Sequence, residues 1–196
     1  MSVKYPKSKV EQAEATRARL VAVARRLFAR RGYPGVSIDE IVQAAGVTKG
    51  ALYHHFPDKQ QLFQAVVEQI EKEISERLAA ASSRPGDASE RLRAACEAYL
   101  DACVDEEVGR IVVLDSPAVF GWDAWCKLHK GCGLDLFIER LRAVLNGDSG
   151  VEATAQMLLG ALNVAGRVIA QANDHPSARR EVGATIDRLL VGIIRP

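Results

Sequence analysis

The chain of 196 residues carries 26 Lys and Arg against 25 Asp and Glu, a formal net charge of +1, and 48% of its residues are apolar. This length can bury a substantial core in one or two domains, and the apolar content with only 7 prolines favours an all-helical globular protein. Residues 1–59 contain 11 Lys and Arg against 5 Asp and Glu, whereas residues 60–196 contain 15 against 20. A basic first third and an acidic remainder argue against a surface that binds nucleic acid all over.

Signals for export, membrane insertion and metal binding are missing from the sequence. The first residues lack the apolar core of a secretory signal. The most apolar segment, 157–170, is interrupted by Asn163 and Arg167 and is shorter than the ~20 residues that a membrane span needs. The four cysteines form no CxxC pair and no Cys/His cluster at zinc spacing. We therefore expect a cytoplasmic protein with reduced thiols, no membrane partner, no metal and no cofactor.

Residues 11–31 are predicted to form a helix that ends at Gly32. Five apolar residues recur on one face of it: Leu20, Val23, Ala24, Leu27 and Phe28. Arginines occupy the other faces. The preceding residues 1–10 carry lysines without periodicity and are either an arm that reaches DNA or a disordered tail.

Residues 37–59 are predicted to form two short helices joined by a tight turn, followed by the start of a third. Ser37 precedes Glu40 by three residues, which is the spacing of a capping box. Gly46 ends the first short helix, Thr48 caps the second, and Pro57 prevents that second helix from continuing. This arrangement is a helix-turn-helix, whose second helix enters the major groove of DNA.

The rest of the chain is predicted to consist of longer helices. A second capping box at Asp58 and Gln61 opens a helix over residues 58–81, which leads into the acidic part of the chain. Further helices are predicted at 87–105, 108–114, 150–172 and 177–194. The segment 118–145 is helical in tendency but contains several glycines, so a kink or a split is expected there.

Residues 45–63 read AGVTKGALYHHFPDKQQLF, which resembles the DNA-binding signature of the TetR family of bacterial transcriptional regulators. The resemblance covers about residues 11–70. It implies an all-α fold of about nine helices, with a helix-turn-helix domain at residues 1–59 and a helical ligand-binding and dimerisation domain at residues 60–196. The helix over residues 58–81 links the two.

The resemblance also assigns residues to the DNA. Lys49, Gly50 and His54 are expected to face base edges, since lysine suits guanine O6 and N7 and glycine permits close approach. Contact with a phosphate is the alternative for His54. Phosphates are expected to contact Arg17, Ser37, Thr48, Tyr53 and Lys59. Capping alone also explains Ser37 and Thr48, and Tyr53 is alternatively an ordinary half-buried aromatic residue.

For the larger domain, aromatic and polar residues are candidates for the lining of an effector cavity: Tyr99, Phe120, Trp122, Trp125, His129, Phe137, Met157 and Asn163. A role in filling the core is the alternative for each of them. The family dimerises through its last two helices, where the candidate interface residues are Leu158, Leu162, Ile186, Leu189, Leu190 and Ile193. Cys96 and Cys103 share a helix face, either as a thiol sensor or as buried packing.

The resemblance predicts a homodimeric regulator, most simply a repressor that a small apolar or aromatic effector releases from a palindromic operator on double-stranded DNA. A transcriptional activator and a ligand-free architectural DNA-binding protein are the alternatives. An enzyme is disfavoured because the sequence contains no nucleophile–base pair, metal-ligand spacing, phosphate loop or dinucleotide motif.

Overall fold

The computed structural model describes residues 8–121, 124–125, 133–145 and 149–194. Within these ranges the chain forms nine α-helices of five residues or more and no strand, so the prediction of an all-α fold is confirmed. The contacts divide the chain into two compact units, Met1–Val67 and Glu68–Pro196.

The first unit contains α1 (Lys9–Arg31), α2 (Ile38–Ala45), α3 (Lys49–His55) and the beginning of α4 (Lys59–Ser82). Its core is aromatic at one end. The ring of Phe28 meets that of Phe63 edge-on with centroids 5.1 Å apart, and Tyr33 lies 4.8 Å from Phe63. Four of the five predicted inward positions of α1 are buried, and Leu27 is half-buried.

The turn between α2 and α3 follows the predicted caps. The Ser37 hydroxyl accepts the amide of Glu40 at 3.3 Å, and the Glu40 carboxylate accepts the Ser37 amide at 2.8 Å, so the predicted capping box is confirmed. Gly46 ends α2 at φ 63°, a left-handed conformation that costs glycine little. Thr48 caps α3 by accepting the amide of Ala51 at 3.1 Å. These contacts determine how α3 leaves the turn.

The second unit is built around α9 (Val151–Gln171). The other elements are the remainder of α4, α5 (Ala88–Ala102), α6 (Glu106–Val108), a π-helical segment (Gly109–Asp115), α7 (Ser116–Phe120), α8 (Asp135–Leu145) and α10 (His175–Ile194). Helix α9 contacts α5, the π-helical segment, α8 and α10. Gly166 permits the close approach to α5, because a Cβ at this position would lie 2.8 Å from Cys103 Sγ.

Helix α9 is apolar on more than one side. Within the described ranges it is also the one helix long and apolar enough to cross a membrane by length and composition alone, a test that core helices pass as well. One side of it supplies Leu158, Leu162 and Ile169 to the core. Another side exposes Met157, Val164 and Val168. An apolar helix of this kind needs cover on its second side as well.

Candidate nucleic-acid interface

Helix α3 presents one side to solvent and one to the core. Leu52 is fully buried beneath it, and Phe56, which follows its last residue, is buried too. Lys49, Gly50, Tyr53 and His54 are exposed. These four positions form two adjacent i, i+4 pairs, so they lie together on one side of the helix. The structure therefore brings together all four residues that were predicted on this helix, whereas His55 is half-buried.

Tyr53 is 49% exposed, although its ring is large and mostly apolar. An aromatic side chain that only filled the core would be covered to a greater extent. Its position next to Lys49 and His54 combines a flat apolar ring, a phenolic hydroxyl and nearby cationic or polar groups. This combination suits contact with a sugar–phosphate backbone.

Gly50 is not required by the packing of the protein itself. A Cβ built on it would meet only the Thr48 hydroxyl, at 3.9 Å, an ordinary van der Waals contact. Its φ is not in the left-handed region, since only Gly32, Gly46, Gly86, Gly121 and Gly150 have positive φ among the described glycines. The missing side chain leaves free space on the exposed side of α3, where a partner can approach the backbone closely.

The Lys49 ammonium pairs with the Asp39 carboxylate at the start of α2, at 2.7 Å. The two side chains are 55% and 70% exposed. This hydrogen bond raises the pKa of Lys49 above its ordinary value. Sequence reasoning missed Asp39, because its partner follows ten residues later across a turn and no helical spacing connects them.

Two cationic side chains that were predicted to contact DNA phosphates lie over aromatic rings of the first unit. The Arg17 guanidinium carbon is 5.1 Å from the centroid of Phe56, and Lys59 Nζ is 4.1 Å from the centroid of Tyr33. Partial burial lowers the pKa of Lys59. Both contacts direct a long, flexible side chain and reduce its freedom before any partner binds.

The hydroxyls of Ser37 and Thr48 are already used as helix caps. In addition, Arg31 Nη1 donates to Glu40 at 2.7 Å. That hydrogen bond, together with those from Ser37, lowers the pKa of Glu40 to about 2. Glu40 is therefore ionised and committed to its cap and to Arg31, which leaves Asp39 as the carboxylate at the start of α2 that pairs with α3.

The second unit contains a small cavity. It is lined by Glu71, Ile74, Leu78, Tyr99, Cys103, Val108, Val112, Val113, Gly133, Phe137 and Leu159. The space open to the centre of a water molecule is about 20 Å³, which is room for one or two waters. The lining is apolar apart from a few polar groups. The carboxyl of Glu71 is among them, although the side chain is only 2% exposed.

Three of the predicted lining residues belong to this region. Tyr99 and Phe137 line the cavity, and the Tyr99 hydroxyl donates to Asn163 at 2.6 Å. Trp125 is buried and Phe120 is half-buried, and neither is in the lining. Met157 is 77% exposed at the surface. Trp122 and His129 lie outside the described residues.

Sequence reasoning missed the cavity residue Glu71. A signal was available, since Glu71 precedes Ile74 by three residues and Leu78 by seven and therefore lies on the same apolar face of α4. A carboxylate on an apolar face is rarely fully buried without a specific role or partner.

Cys96 and Cys103 are both buried. Burial raises the pKa of each thiol to about 12, so neither provides the thiolate that redox chemistry needs. Seven residues of helix separate their backbones by about 10 Å, beyond the reach of a disulfide. Of the two alternatives for these cysteines, the structure supports buried packing.

The predicted dimer residues fall into two groups. Leu158, Leu162, Ile186 and Leu190 are buried within the protomer and belong to its own core. Leu189 is 48% exposed, and Ile193 is half-buried. The apolar residues that α9 and α10 expose are Met157, Val164, Val168, Leu189 and Val191. Only Leu189 occurs in both sets, because sequence periodicity does not show which apolar residues of these two helices face the core of the protomer and which face outward.

Comparisons with known proteins agree with this architecture. Residues 20–66 match the family "Bacterial regulatory proteins, tetR family", and residues 89–193 match "Tetracyclin repressor-like, C-terminal domain". The HTH-type transcriptional regulator AcrR of Shigella flexneri is 39% identical over 104 residues, 53% of this chain and 48% of that regulator. The chain thus spans about half the length of this curated relative.

Solved structures match over a greater length. A TetR-family transcriptional regulator from Pectobacterium atrosepticum is 34% identical, with a TM-score of 0.84 over 97% of this chain and 99% of that one. RolR, solved in complex with resorcinol, is 22% identical, with a TM-score of 0.72 over 96% of this chain and 97% of that one. At 22% identity, the similarity to RolR shows a shared fold only.

Proposed function

Since this chain belongs to the TetR family of bacterial regulatory proteins, we propose that it is a homodimeric DNA-binding regulator of transcription that a small molecule releases from its operator. The proposal assigns DNA binding to residues 1–59 and effector binding and dimerisation to residues 60–196, linked by the helix over residues 58–81. Its function is binding without catalysis, in the cytoplasm, where the DNA is.

The exposed side of α3 carries the proposal. A short helix that buries Leu52 and exposes Lys49, Tyr53 and His54 around Gly50 has the shape and the chemistry of a helix that enters the major groove. Arg17 and Lys59 supply cations for phosphates. Lys49 and His54 are the candidates for base edges, and Tyr53 is a candidate for the backbone.

The exposed apolar side chains of α9 and α10 support dimerisation. The protomer leaves five large apolar side chains 45–77% exposed on these helices: Met157, Val164 and Val168 on α9, and Leu189 and Val191 on α10. A second copy of the chain covers them in a symmetric dimer. Two recognition helices about 34–36 Å apart, or a multiple of this, then read an imperfect palindrome.

The cavity in the second unit supports an effector of modest size with an apolar or aromatic body. Its wall is aliphatic and aromatic, and Tyr99 with Asn163 supplies polar groups to orient a ligand. The relative RolR was solved with resorcinol, a small aromatic molecule. Because the cavity has room for only one or two waters, an effector must displace its lining, and this displacement gives the ligand different affinities for two states.

Release by an effector makes the protein a repressor where its operator overlaps a promoter, in keeping with the repressor-like family of its second unit. The alternative, an activator, differs in where the operator lies and not in the protein itself.

The decisive experiment is selection of bound sequences from a pool of random DNA duplexes at near-physiological salt. We expect one palindromic sequence to be enriched, with a stoichiometry of one dimer per site. The enriched duplex then serves as the probe in a screen for small molecules that release the protein. If binding is weak, salt-sensitive and without an enriched sequence, the protein is an architectural DNA-binding protein and the proposal of a specific regulator is wrong.

A further inference from the structure

A negative charge on α2 lies against the exposed side of α3, where it would repel the phosphates of DNA. Asp39 Oδ1 lies 2.7 Å from Nζ of Lys49, a residue assigned to DNA. The other carboxylate at this end of α2, that of Glu40, bonds Arg31 and caps its own helix. Asp39 does not belong to the capping box of α2, and 70% of its side chain is exposed.

A lysine ammonium has three N–H donors, of which the Asp39 carboxylate takes one. The remaining donors can reach a neutral acceptor, such as guanine O6 or N7, while the ion pair stays intact. A phosphate is different because it carries a full negative charge. If it binds Lys49, it comes within a few ångströms of the Asp39 carboxylate, and the two negative charges repel each other.

We propose that Asp39 is a specificity-determining residue, which keeps Lys49 from binding any DNA phosphate and so reserves it for a base edge in the correct sequence. The proposal rests on the DNA-binding function proposed above. Asp39 lowers the affinity for DNA of every sequence, but lowers it less for the operator. The surroundings favour this role, since Arg17 and Lys59 lie over aromatic rings and remain available for phosphates.

The test is the substitution Asp39→Asn, which removes the charge and keeps the shape. Affinity is measured by fluorescence anisotropy for two duplexes: the sequence enriched in the selection and a scrambled duplex of the same length. We expect the affinity of the dimer for the scrambled duplex to rise about four- to 25-fold, as for the loss of two exposed like-charge contacts, one in each subunit. The slope of log affinity against log salt should steepen by about 1.8, for one additional phosphate contact in each subunit of the dimer. The ratio of specific to non-specific affinity should fall.

Two further substitutions separate this effect from a change in net charge. Glu76→Gln removes one charge from an exposed residue of the second unit and should leave both affinities as they are. Asp39→Glu keeps the charge and should retain the wild-type ratio. Circular dichroism of each variant establishes that it is folded.

A double-mutant cycle tests the role of Lys49. In a Lys49→Met background, Asp39→Asn should no longer steepen the salt dependence, because the cation that it releases is absent. If the steepening persists without Lys49, or if Asp39→Asn leaves the specificity ratio unchanged, the inference is wrong. If the wild-type protein itself enriches no sequence, the failure belongs to the proposed function instead.

Discussion

At the scale of single residues, the contribution of a side chain on α3 depends on which side of the helix it occupies. Leu52 is part of the core, whereas Lys49 and Tyr53 are about half exposed and Lys49 pairs with Asp39. Residues of the second kind can be changed without unfolding the domain. The role of α3 can therefore be tested by truncating its exposed side chains to alanine.

We expect Lys49→Ala and Tyr53→Ala each to weaken binding to the selected duplex about tenfold or more, because each removes a contact worth roughly 1–3 kcal/mol. The midpoint of thermal unfolding and the dimer mass should stay close to those of the wild type. Affinity is measured by fluorescence anisotropy at fixed salt. Lys72→Ala, at an exposed lysine of the second unit, is the matched control for lost charge. Wild-type affinity in both α3 variants would remove α3 from the interface.

At the scale of elements, α5 and α10 are joined by ion pairs in the second unit. Arg179 of α10 donates to Asp101 at 2.9 Å and also pairs with Glu97, while Arg93 of α5 pairs with Asp187. The Arg179 side chain is mostly buried, and its partners are more exposed. Gly183, one turn further along α10, leaves room for the guanidinium, since a Cβ there would lie 2.5 Å from Arg179 Nη1.

We expect Arg179→Met to lower the free energy of unfolding by about 1 kcal/mol, because it leaves a partly buried carboxylate without its cation while solvent screens the rest of the loss. Urea unfolding followed by circular dichroism measures the change. Arg180→Met is the matched control, since Arg180 is the exposed neighbour on the same helix. Equal effects of the two substitutions would mean that the ion pairs of Arg179 do not hold α10 against α5.

At the scale of the whole molecule, the buried and exposed apolar residues of α9 and α10 have separate roles. The buried set, including Leu158 and Leu190, holds the protomer together, and the exposed set is available to a second copy. If the protein is the proposed homodimer, we expect a charge in the first set to unfold the protein and a charge in the second set to separate the subunits. The neighbours Leu189 and Leu190 therefore behave differently.

We expect Leu189→Glu to yield folded monomers, because dimerisation would bury two like charges in an apolar interface. Size-exclusion chromatography with light scattering reports the mass, and circular dichroism reports the helix content. Ala118→Glu, at an exposed alanine of α7, should leave the dimer intact. A Leu189→Glu variant that remains dimeric at low concentration would show that subunits associate through another face.

Monomers should also lose most of their affinity for the selected duplex, since each then reads only one half of the palindrome. This outcome would show that DNA binding requires the dimer, and that the exposed face of α9 and α10 contributes to DNA binding through dimerisation.

The sequence by itself determined the local structure of the first unit. Capping at Ser37, the left-handed Gly46 and the cap at Thr48 each depend on residues within a few positions along the chain. They can therefore be predicted without knowledge of the tertiary structure. The all-α class follows for the same reason, because helical periodicity and helix caps are local properties. The exposed side of α3 was also predictable, since Leu52 and Phe56 mark its buried side.

Only the tertiary structure decided which residues meet across the chain. It brought Asp39 to Lys49, placed Glu71 and Cys103 in a cavity with Tyr99, and sent Met157 to the surface instead of to that cavity. It also placed Leu189 at the surface and Leu190 in the core, and it decided which apolar side of α9 faces the core. Periodicity shows that such a helix has apolar faces, but which face is covered depends on the neighbouring helices, and that is a property of long-range packing.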